Sequence, residues 1–588
     1  MSKPANEPRA FAEGSLADFA SAGSAPVAAA NQRLLRVDGD RGLSLTEKFS
    51  AGLRHLTYRT PLHRMRLRGR YPLRLLAVPA DPIAGNAAIG ERILGGQLPH
   101  AGHSPATATL DFDDRSAPQA WRDWAQGFGW LRDLAAAAPR AQGAKVAEPL
   151  VARWLAAHAD FDAAGWRADL LGLRLLFWSA YAPYILSSAD HVYRSAVLNA
   201  MARWARHLDR AAQKLPDGIG RIQALAGLVA AGLLIPGGES RLARGEAALA
   251  DAIDAVLLAD GGIVTRAPRD QLALLELLLL VEAVYRAREL QLPVGIGAGV
   301  ARLVPALKGV TMGDGLPGAW HGSAGIDAAR LARAISLGGA GVRPARHGAQ
   351  SGYHRMAAGK TIVVADAGPP PVARVAPGAH AGTLAFEMSD GTQRLVVNCG
   401  GTTGLARPLS PELVAGLRTT AAHSTLVLDD INSTRIRPDF ALGRGVEEVV
   451  ANRQESEEGI WLDLSHDGYV RRHGVLHRRR LFLSPDGLDL RGEDVLEPVA
   501  GRRLRSGSIA VRFHLGVGVE PVPTADGLGA LLRLPDGKVW QFRGRGGTLS
   551  VEASLWIDPD GRPRATQQLV IGAPADAEIA WSFKRAGK

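Results

Sequence analysis

The chain has 588 residues, of which 46% are apolar and 22% are charged. This composition is typical of globular proteins, and the length favours two or three domains, each with its own buried core. A single cysteine, Cys399, excludes an internal disulfide and zinc modules built from cysteines.

The charge balance is basic, with 69 Lys and Arg against 58 Asp and Glu and a net charge of +11. A basic surface attracts anionic partners such as nucleic acids, membrane headgroups or acidic polysaccharides. No compact basic run with interleaved aromatic residues is present, so the sequence predicts no nucleic-acid partner. A coding bias toward arginine explains the excess of positive charge equally well.

Residues 1–75 show no long hydrophobic period, which predicts an irregular and partly disordered N-terminal arm. The first 36 residues contain no continuous apolar core of the kind found in a secretory signal. The most apolar window, Leu272–Val281, contains Glu276 and is too short to cross a bilayer. The sequence therefore predicts a cytoplasmic protein without a membrane span.

Residues 76–340 show the periodicity of amphipathic helices. Within His191–Leu215, apolar side chains recur every three or four positions. The members of this predicted buried stripe are Val192, Leu198, Met201, Trp204, Leu208 and Leu215. Similar stretches are separated by Pro and Gly clusters such as Leu215-Pro216-Asp217-Gly218. Helices paired by short turns favour an array of αα-hairpins or a toroid.

After about residue 341 the apolar period changes to two, which is typical of strands. Thr383–Ser389 and Thr392–Asn398 flank Asp390-Gly391, a strong signal for a β-hairpin. Further short strands follow at regular spacing, which predicts an antiparallel β-sandwich over residues 341–588. The predicted fold class is therefore a helical domain followed by a β domain.

Several segments of the chain carry recognisable motifs. They are WRDWAQGFGWLRDL at Trp121–Leu134, DGGIVTRAP at Asp260–Pro268, SGYHRMAAGKTIVVADAGPP at Ser351–Pro370, HAGTLAFEMSDGTQRLVVNCG at His380–Gly400, AAHSTLVLDD at Ala421–Asp430, SHDGY at Ser465–Tyr469 and HRRRL at His477–Leu481. Together they resemble the heparinase II/III-like family of polysaccharide lyases over roughly residues 75–500. The resemblance implies an incomplete (α/α) toroid at 76–340, a β-sandwich at 341–588 and a location in the periplasm or cell envelope.

The resemblance also implies a cleft for an acidic polysaccharide that contains uronic acid. Lyases of this family act by β-elimination, in which a base removes the proton beside the carboxylate and the C4 oxygen leaves. The reaction needs a group that neutralises the carboxylate. It also needs a Tyr or His as base and an acid for the leaving oxygen. No organic cofactor is implied.

The chain departs from the family pattern at three places. Where the lyases carry a Tyr-His pair after the Asp-Gly toroid segment, it has Asp270 and Gln271. Where they carry an Asn-His pair, it has Ile219 and Gly220. Of the sandwich motif His-x-His-x-Asp, only the second His is present, as His380. Besides a lyase, the sequence therefore leaves open a non-catalytic glycan-binding protein and a cell-envelope scaffold that has lost the lyase residues.

Three residues are the candidates for catalysis on the lyase hypothesis. Arg266 would neutralise the uronate carboxylate with its guanidinium, and the alternative is that it braces its loop. Tyr353 or His380 would move the proton, and the alternative for Tyr353 is a place in the core. For sugar binding, Trp178 and Tyr181 gather on one predicted helix, although packing between helices is the ordinary role of such residues.

A metal site is implied by the same resemblance. His380, Asn398 and His423 match positions that hold a metal in some relatives, so zinc in the β-sandwich is a possible cofactor. An Asn amide is a poor zinc ligand, and the alternative is a hydrogen-bonded polar cluster inside the sandwich.

Overall fold

The computed structural model describes residues 32–36, 58, 60–69, 71–158, 160–502, 504 and 506–587. Two described pieces of the N-terminal arm are regular, namely strand β1 (Gln32–Leu35) and helix α1 (Pro61–Arg66). The disorder predicted for this arm falls on residues that lie outside the described ones.

The first half of the chain is helical. Its further helices are α2 (Ala87–Leu94), α3 (Gln119–Gly127), α4 (Trp130–Ala137), α5 (Arg140–Ala157), α6 (Ala168–Ala180), α7 (Ala182–Ile185), α8 (His191–Ala211), α9 (Ile219–Leu234), α10 (Glu239–Val256), α11 (Pro268–Ala287), α12 (Val294–Gly309) and α13 (Ala328–Gly339). Helices α6, α9 and α11 are buried on nearly all sides, whereas α8 and α10 bury one stripe. The former therefore make an inner layer and the latter an outer layer.

Helix α8 confirms the amphipathic pattern read from His191–Leu215. Its cap is Asp190, whose carboxylate accepts hydrogen bonds from the backbone N–H groups of Val192 and Tyr193. Leu198, Met201, Trp204 and Leu208 are buried as predicted. Val192 is 80% exposed, so its assignment to the buried stripe was wrong. It lies in the first turn of the helix, where His191 and Ser195 are exposed as well.

Helices α6 and α9 approach each other closely because glycines meet at their contact. A Cβ on Gly172 would lie 2.0 Å from the carbonyl oxygen of Gln223, and one on Gly227 would lie 2.3 Å from the Cα of Gly172. Any larger residue would force the two inner helices apart.

The second half forms two antiparallel sheets that pack face to face. Its strands are β2 (Tyr353–Ala358), β3 (Thr361–Asp366), β4 (Phe386–Asp390), β5 (Gln393–Val397), β6 (Leu426–Leu428), β7 (Glu448–Ser456), β8 (Gly459–His466), β9 (Val475–Leu483), β10 (Asp489–Pro498), β11 (Ser508–Leu515), β12 (Glu520–Pro523), β13 (Gly529–Arg533), β14 (Val539–Arg545), β15 (Thr548–Ile557), β16 (Pro563–Pro574) and β17 (Ile579–Arg585). Short helices α14 (Pro411–Leu417) and α15 (Val470–His473) lie in the connections.

One sheet has the strand order β1-β7-β8-β9-β10-β17-β14-β13-β12, and the other has the order β15-β16-β11-β5-β4-β3-β2, with β6 paired to β11. The predicted hairpin at Asp390-Gly391 is confirmed as the turn between β4 and β5, and Gly391 has a φ of 58°. Strand β1 adds the N-terminal arm to the edge of the first sheet by pairing with β7.

The two halves have separate hydrophobic cores. They meet where α12 contacts β2 and where the loops of residues 257–268 and 310–325 touch the first sandwich strands. The predicted fold class, a toroid-like helical domain followed by an antiparallel β-sandwich, is confirmed. Among the residues that the structure describes, no helix is long and apolar enough to cross a bilayer.

Candidate functional site at the domain junction

The toroid segment Asp260–Pro268 is fastened to the start of the sandwich. The Asp260 carboxylate accepts hydrogen bonds from the backbone N–H groups of Gln350 and Ser351, both at 2.7 Å. Gly261 has a φ of 81°, and a Cβ there would lie 1.9 Å from the Arg302 carbonyl oxygen. Asp260 therefore holds the segment to the sandwich, and the close approach of Arg302 in α12 requires a glycine at position 261.

Arg266 lies in the same segment with a φ of 53° and is almost fully buried. Its guanidinium forms an ion pair with Asp366 at the end of β3. It also donates to the carbonyl oxygens of Ser351 at 2.7 Å and Pro369 at 3.0 Å. The hydrogen-bonding capacity that the lyase hypothesis assigned to a uronate carboxylate is therefore taken up by the sandwich, which favours the bracing alternative.

Asp366 lies beside both Arg266 and His321. The His321 Nε2 atom lies 3.4 Å from the Asp366 carboxylate and 3.0 Å from Nη1 of Arg266. Burial alone would raise the pKa of Asp366, but the Arg266 guanidinium and His321 lower it to about 2. The carboxylate is therefore ionised at neutral pH and keeps the arginine in place.

Tyr353 packs against the same arginine. Its hydroxyl donates a hydrogen bond to the Arg266 carbonyl oxygen at 2.6 Å, and the Arg266 guanidinium lies 4.8 Å from the centre of its ring. Burial raises the pKa of Tyr353 well above its usual value. A phenol with a raised pKa stays protonated at neutral pH, so the phenolate that would act as the base is not available.

His380 and His423 contact each other inside the sandwich. His423 Nδ1 donates to the Thr419 carbonyl oxygen at 2.7 Å, so its Nε2 carries a lone pair. That nitrogen lies 3.3 Å from Nδ1 of His380, which must donate to it. The remaining Nε2 of His380 is then an acceptor, and it has no hydrogen-bond partner among the described residues. Burial lowers the pKa of both histidines, that of His423 to about 4.

Asn398 is engaged elsewhere. Its amide donates to the Glu387 carboxylate at 3.1 Å and accepts from the backbone N–H of Ser424 at 3.0 Å. Within the part of the chain that the structure describes, no group of three or more His, Cys, Asp and Glu side chains is arranged to hold a metal. Two imidazoles bonded to each other, beside an amide with other partners, do not fit the coordination shell of zinc.

The predicted sugar platform is part of the toroid core. Trp178 has no exposed surface and packs against Trp204 with ring centres 4.7 Å apart. Tyr181 is also buried, and its hydroxyl donates to Asp81 at 3.0 Å. Because neither ring presents a face to solvent, the packing alternative describes these residues, and the stacking role predicted for Trp178 is corrected.

At the positions where the resemblance places the catalytic pairs of the lyases, this chain has residues with structural contacts. Gln271 is buried and donates to the carbonyl oxygens of Gly261 at 2.9 Å and Leu303 at 3.3 Å. Asp270 lies in the first turn of α11, where burial raises its pKa. Ile219 and Gly220 begin α9 and carry no polar side chain.

Two members of this site were not predicted from the sequence, His321 and Asp366. Together with Arg266, Tyr353, His380 and His423 they are named the junction cluster below. Beside it lies a cavity of about 390 Å³ between the end of α10, strand β1 and the loop of residues 369–375. Asp366 lies within the segment Ser351–Pro370, at the end of a strand. An acidic residue at that place is the sequence feature that could have marked it as part of the site.

Comparison with known proteins identifies the class to which this toroid and sandwich belong. The model of the heparinase II/III-like C-terminal domain matches residues 340–582. FtsZ-localized protein C of Caulobacter vibrioides is 32% identical over 548 residues, covering 89% of this chain and 92% of that protein. The chain belongs to the heparinase II/III-like family.

Solved structures agree on the fold. The crystal structure of heparinase III matches with a TM-score of 0.66 at 13% identity, covering 94% of this chain and 93% of that chain. The heparan sulfate lyase HepC from Pedobacter heparinus matches with a TM-score of 0.60 at 15% identity, covering 94% and 92%. At these identities the likeness concerns the polysaccharide lyase-like fold alone.

Proposed function

We propose that this chain is a non-catalytic member of the family that works as a scaffold together with FtsZ. The observation that carries the proposal is the state of Arg266 and Tyr353. The Arg266 guanidinium forms an ion pair with Asp366 and donates hydrogen bonds to sandwich carbonyls. The Tyr353 hydroxyl donates a hydrogen bond to the Arg266 backbone carbonyl. Both therefore hold the two domains together.

β-Elimination requires side chains that are free to contact the substrate. A neutralising group must have donors free to meet the substrate carboxylate, and the base must have a pKa near the working pH. Tyr353 has a raised pKa. His380 is buried and has a strongly lowered pKa, so it is also a poor base. The electrostatics of the junction cluster thus support the scaffold over the lyase predicted from the resemblance.

The association with FtsZ is supported by the relative from Caulobacter vibrioides, whose name states that it localises with FtsZ. Identity of 32% over most of both chains supports a shared role, whereas the lyase structures share only 13% to 15% identity with this chain. The proposal replaces the envelope location implied by the resemblance with a place beside FtsZ.

Two measurements test this function. A fluorescent fusion of the full chain, imaged in cells with labelled FtsZ, is expected to form the same bands as FtsZ and to disperse when FtsZ is depleted. Purified protein incubated with heparan-type, chondroitin-type, alginate and capsular polysaccharides is expected to produce no rise in ultraviolet absorbance. The heparan sulfate lyase HepC serves as the positive control on the heparan-type substrate.

The competing hypotheses give different results. A lyase would release unsaturated sugar ends that absorb in the ultraviolet, and such a rise would overturn the proposal. A glycan-binding protein would shift in an affinity gel without new chain ends. A diffuse signal from the fusion protein in cells where FtsZ forms bands would contradict the scaffold role.

A further inference from the structure

Strand β15 lies at the edge of the second sheet, and half of its outer side is uncovered. In the turn that joins it to β16, the Asp558 N–H donates to the Arg562 carbonyl oxygen at 3.1 Å, so residues with even numbers bond to β16. Residues with odd numbers therefore point their backbone groups away from β16. The Ile557 N–H, which is one of these, donates to the Cys399 carbonyl oxygen at 2.9 Å. Among the described residues, positions 549, 551 and 553 have no backbone partner on that side.

Other sheet edges of the molecule are protected. The Thr524 N–H at the end of β12 donates to the Gly529 carbonyl oxygen at 2.9 Å, so the odd-numbered Pro521 and Pro523 face outward and offer no donor there. The outer side of β2 is already bonded to the backbone of residues 346–348. Strand β1 is only four residues long. The open part of β15, residues 548–553, is therefore the edge best suited to pair with another strand.

The side chains of this open segment alternate between two environments. Leu549 and Val551 point toward the sandwich core and are half-buried at the edge, whereas Thr548 and Ser550 are exposed on the opposite face. The one charged residue of the segment is Glu552, whose carboxylate lies 3.4 Å from the Arg512 guanidinium. The segment thus has no lysine or proline to repel an added strand, and such a strand would shield Leu549 and Val551 from water.

We propose that the occupant is the same strand of a second copy of this chain, paired antiparallel about a two-fold axis at Val551. In this register Leu549 lies opposite Ala553, a large side chain against a small one. Ser550 lies opposite Glu552, and within one strand this hydroxyl already donates to this carboxylate at 2.9 Å. The three outward residues of each copy make about six main-chain hydrogen bonds, two for each facing pair.

The charge of the segment supports this register. If the axis moved by one residue to position 552, the two Glu552 carboxylates would face each other directly, and like charges in that position are destabilising. The Ala553 carbonyl oxygen accepts a bond of 3.3 Å from the Gln568 amide, and its second lone pair remains available to the other copy. The pairing joins two sandwiches through one continuous sheet. It does not depend on the scaffold role, so either can fail without the other.

Analytical ultracentrifugation of the full chain tests the pairing. We expect the wild type to form a dimer and Ala553→Pro to raise the dimer dissociation constant about thirtyfold, because the two-fold axis removes two main-chain hydrogen bonds at once. The Ala553 N–H points away from β16 and its side chain is exposed, so the proline spares the ladder and the core. Thr548→Ala is the matched control, since it changes an exposed side chain of the same strand and no outward N–H. It should dimerise as the wild type does.

Cross-linking tests the register separately. Because Cys399 is buried, Ser550→Cys presents the one accessible thiol of the chain. The two copies of residue 550 are diagonal neighbours about 7–8 Å apart in the proposed pairing, within reach of a short bis-maleimide. Glu520→Cys, on the proline-protected edge β12, should stay monomeric in the same reaction. A folded wild type that remains a monomer, a dimer unaffected by Ala553→Pro, or equal cross-linking of the two cysteine variants would overturn the proposal.

Discussion

Two buried polar clusters of this chain differ in how completely their hydrogen bonds are made. The first, named the sandwich cluster, consists of His466, His477, Arg479, Asp494 and Trp581. Asp494 accepts from Arg479 at 2.8 and 3.0 Å, from His477 at 2.8 Å and from the indole of Trp581 at 2.9 Å. Arg479 also donates to two backbone carbonyls beyond its own sheet. None of these side chains has an unpartnered buried atom.

The junction cluster is less complete. His321 Nδ1 and His380 Nε2 are buried and have no hydrogen-bond partner among the described residues. The sandwich cluster thus behaves as a closed structural network. The junction cluster, by contrast, keeps two buried nitrogens without a partner among the described residues. Completeness of hydrogen bonding therefore separates the two clusters.

Acid should destabilise both clusters, since burial lowers the pKa of the histidines in each of them. Burial lowers the pKa of His423 to about 4, against about 6.5 in an unfolded chain. As the pH falls, the unfolded state therefore binds the proton before the folded state does. The unfolding free energy has its highest value above pH 6.5 and decreases as the pH drops toward 4. The loss for this one group is on the order of 3 kcal/mol.

Urea unfolding of the full chain at pH 7.5 and at pH 5 would measure about 2 kcal/mol of this loss, because pH 5 still lies above the folded-state pKa of His423. In His423→Gln the difference in unfolding free energy between pH 7.5 and pH 5 should be smaller, because the contribution of His423 protonation is removed. A variant with the same pH dependence as the wild type would show that His423 is not the group that responds.

The fold could be predicted from the sequence to a large extent because periodicity is a local property. A period near 3.6 and then a period of two identified the helical and β halves, and Asp390-Gly391 marked a hairpin. Local patterns fail where burial depends on distant neighbours. Arg479 is fully buried between Arg478 and Arg480, which point outward to acidic partners, and nothing in a run of arginines shows which one enters the core.

The site was harder to predict for the same reason. Motif position drew attention to Arg266 and Tyr353, because both lie in segments that resemble the lyase family. Their roles depend on partners far away along the chain, since Arg266 meets Asp366 a hundred residues later and Tyr353 bonds the carbonyl of Arg266. A single sequence gives no measure of such pairing.

Among the single substitutions, breaking the sandwich cluster is expected to have the largest effect. Asp494→Ala leaves the Arg479 guanidinium buried without its carboxylate, which should lower the unfolding free energy by about 3–5 kcal/mol. The matched control is Glu520→Ala, which removes an exposed partner of Arg533 and should change stability little. Equal effects of the two substitutions, measured by urea unfolding, would contradict the structural role of the sandwich cluster.

Removing the junction arginine separates bracing from catalysis. Arg266→Met leaves Asp366 buried without its main partner and releases the Ser351 and Pro369 carbonyls, so we expect a loss of about 3 kcal/mol in unfolding free energy. The lyase hypothesis predicts unchanged stability and lost turnover instead. Arg330→Met is a suitable control, because it breaks an ion pair with Glu276 inside the toroid and leaves the domain junction intact.

The smallest effect expected is that of Tyr353→Phe, which removes one hydroxyl and keeps the ring. The Arg266 carbonyl oxygen then loses its 2.6 Å hydrogen bond in a buried place, which should cost about 1–2 kcal/mol of unfolding free energy. Tyr71→Phe, at an exposed tyrosine, is the control and should leave stability unchanged. If Tyr353→Phe unfolds like the wild type, the hydroxyl does not hold the junction. A proton-transfer role for Tyr353 would then regain support, because a catalytic tyrosine can lose its hydroxyl without loss of stability.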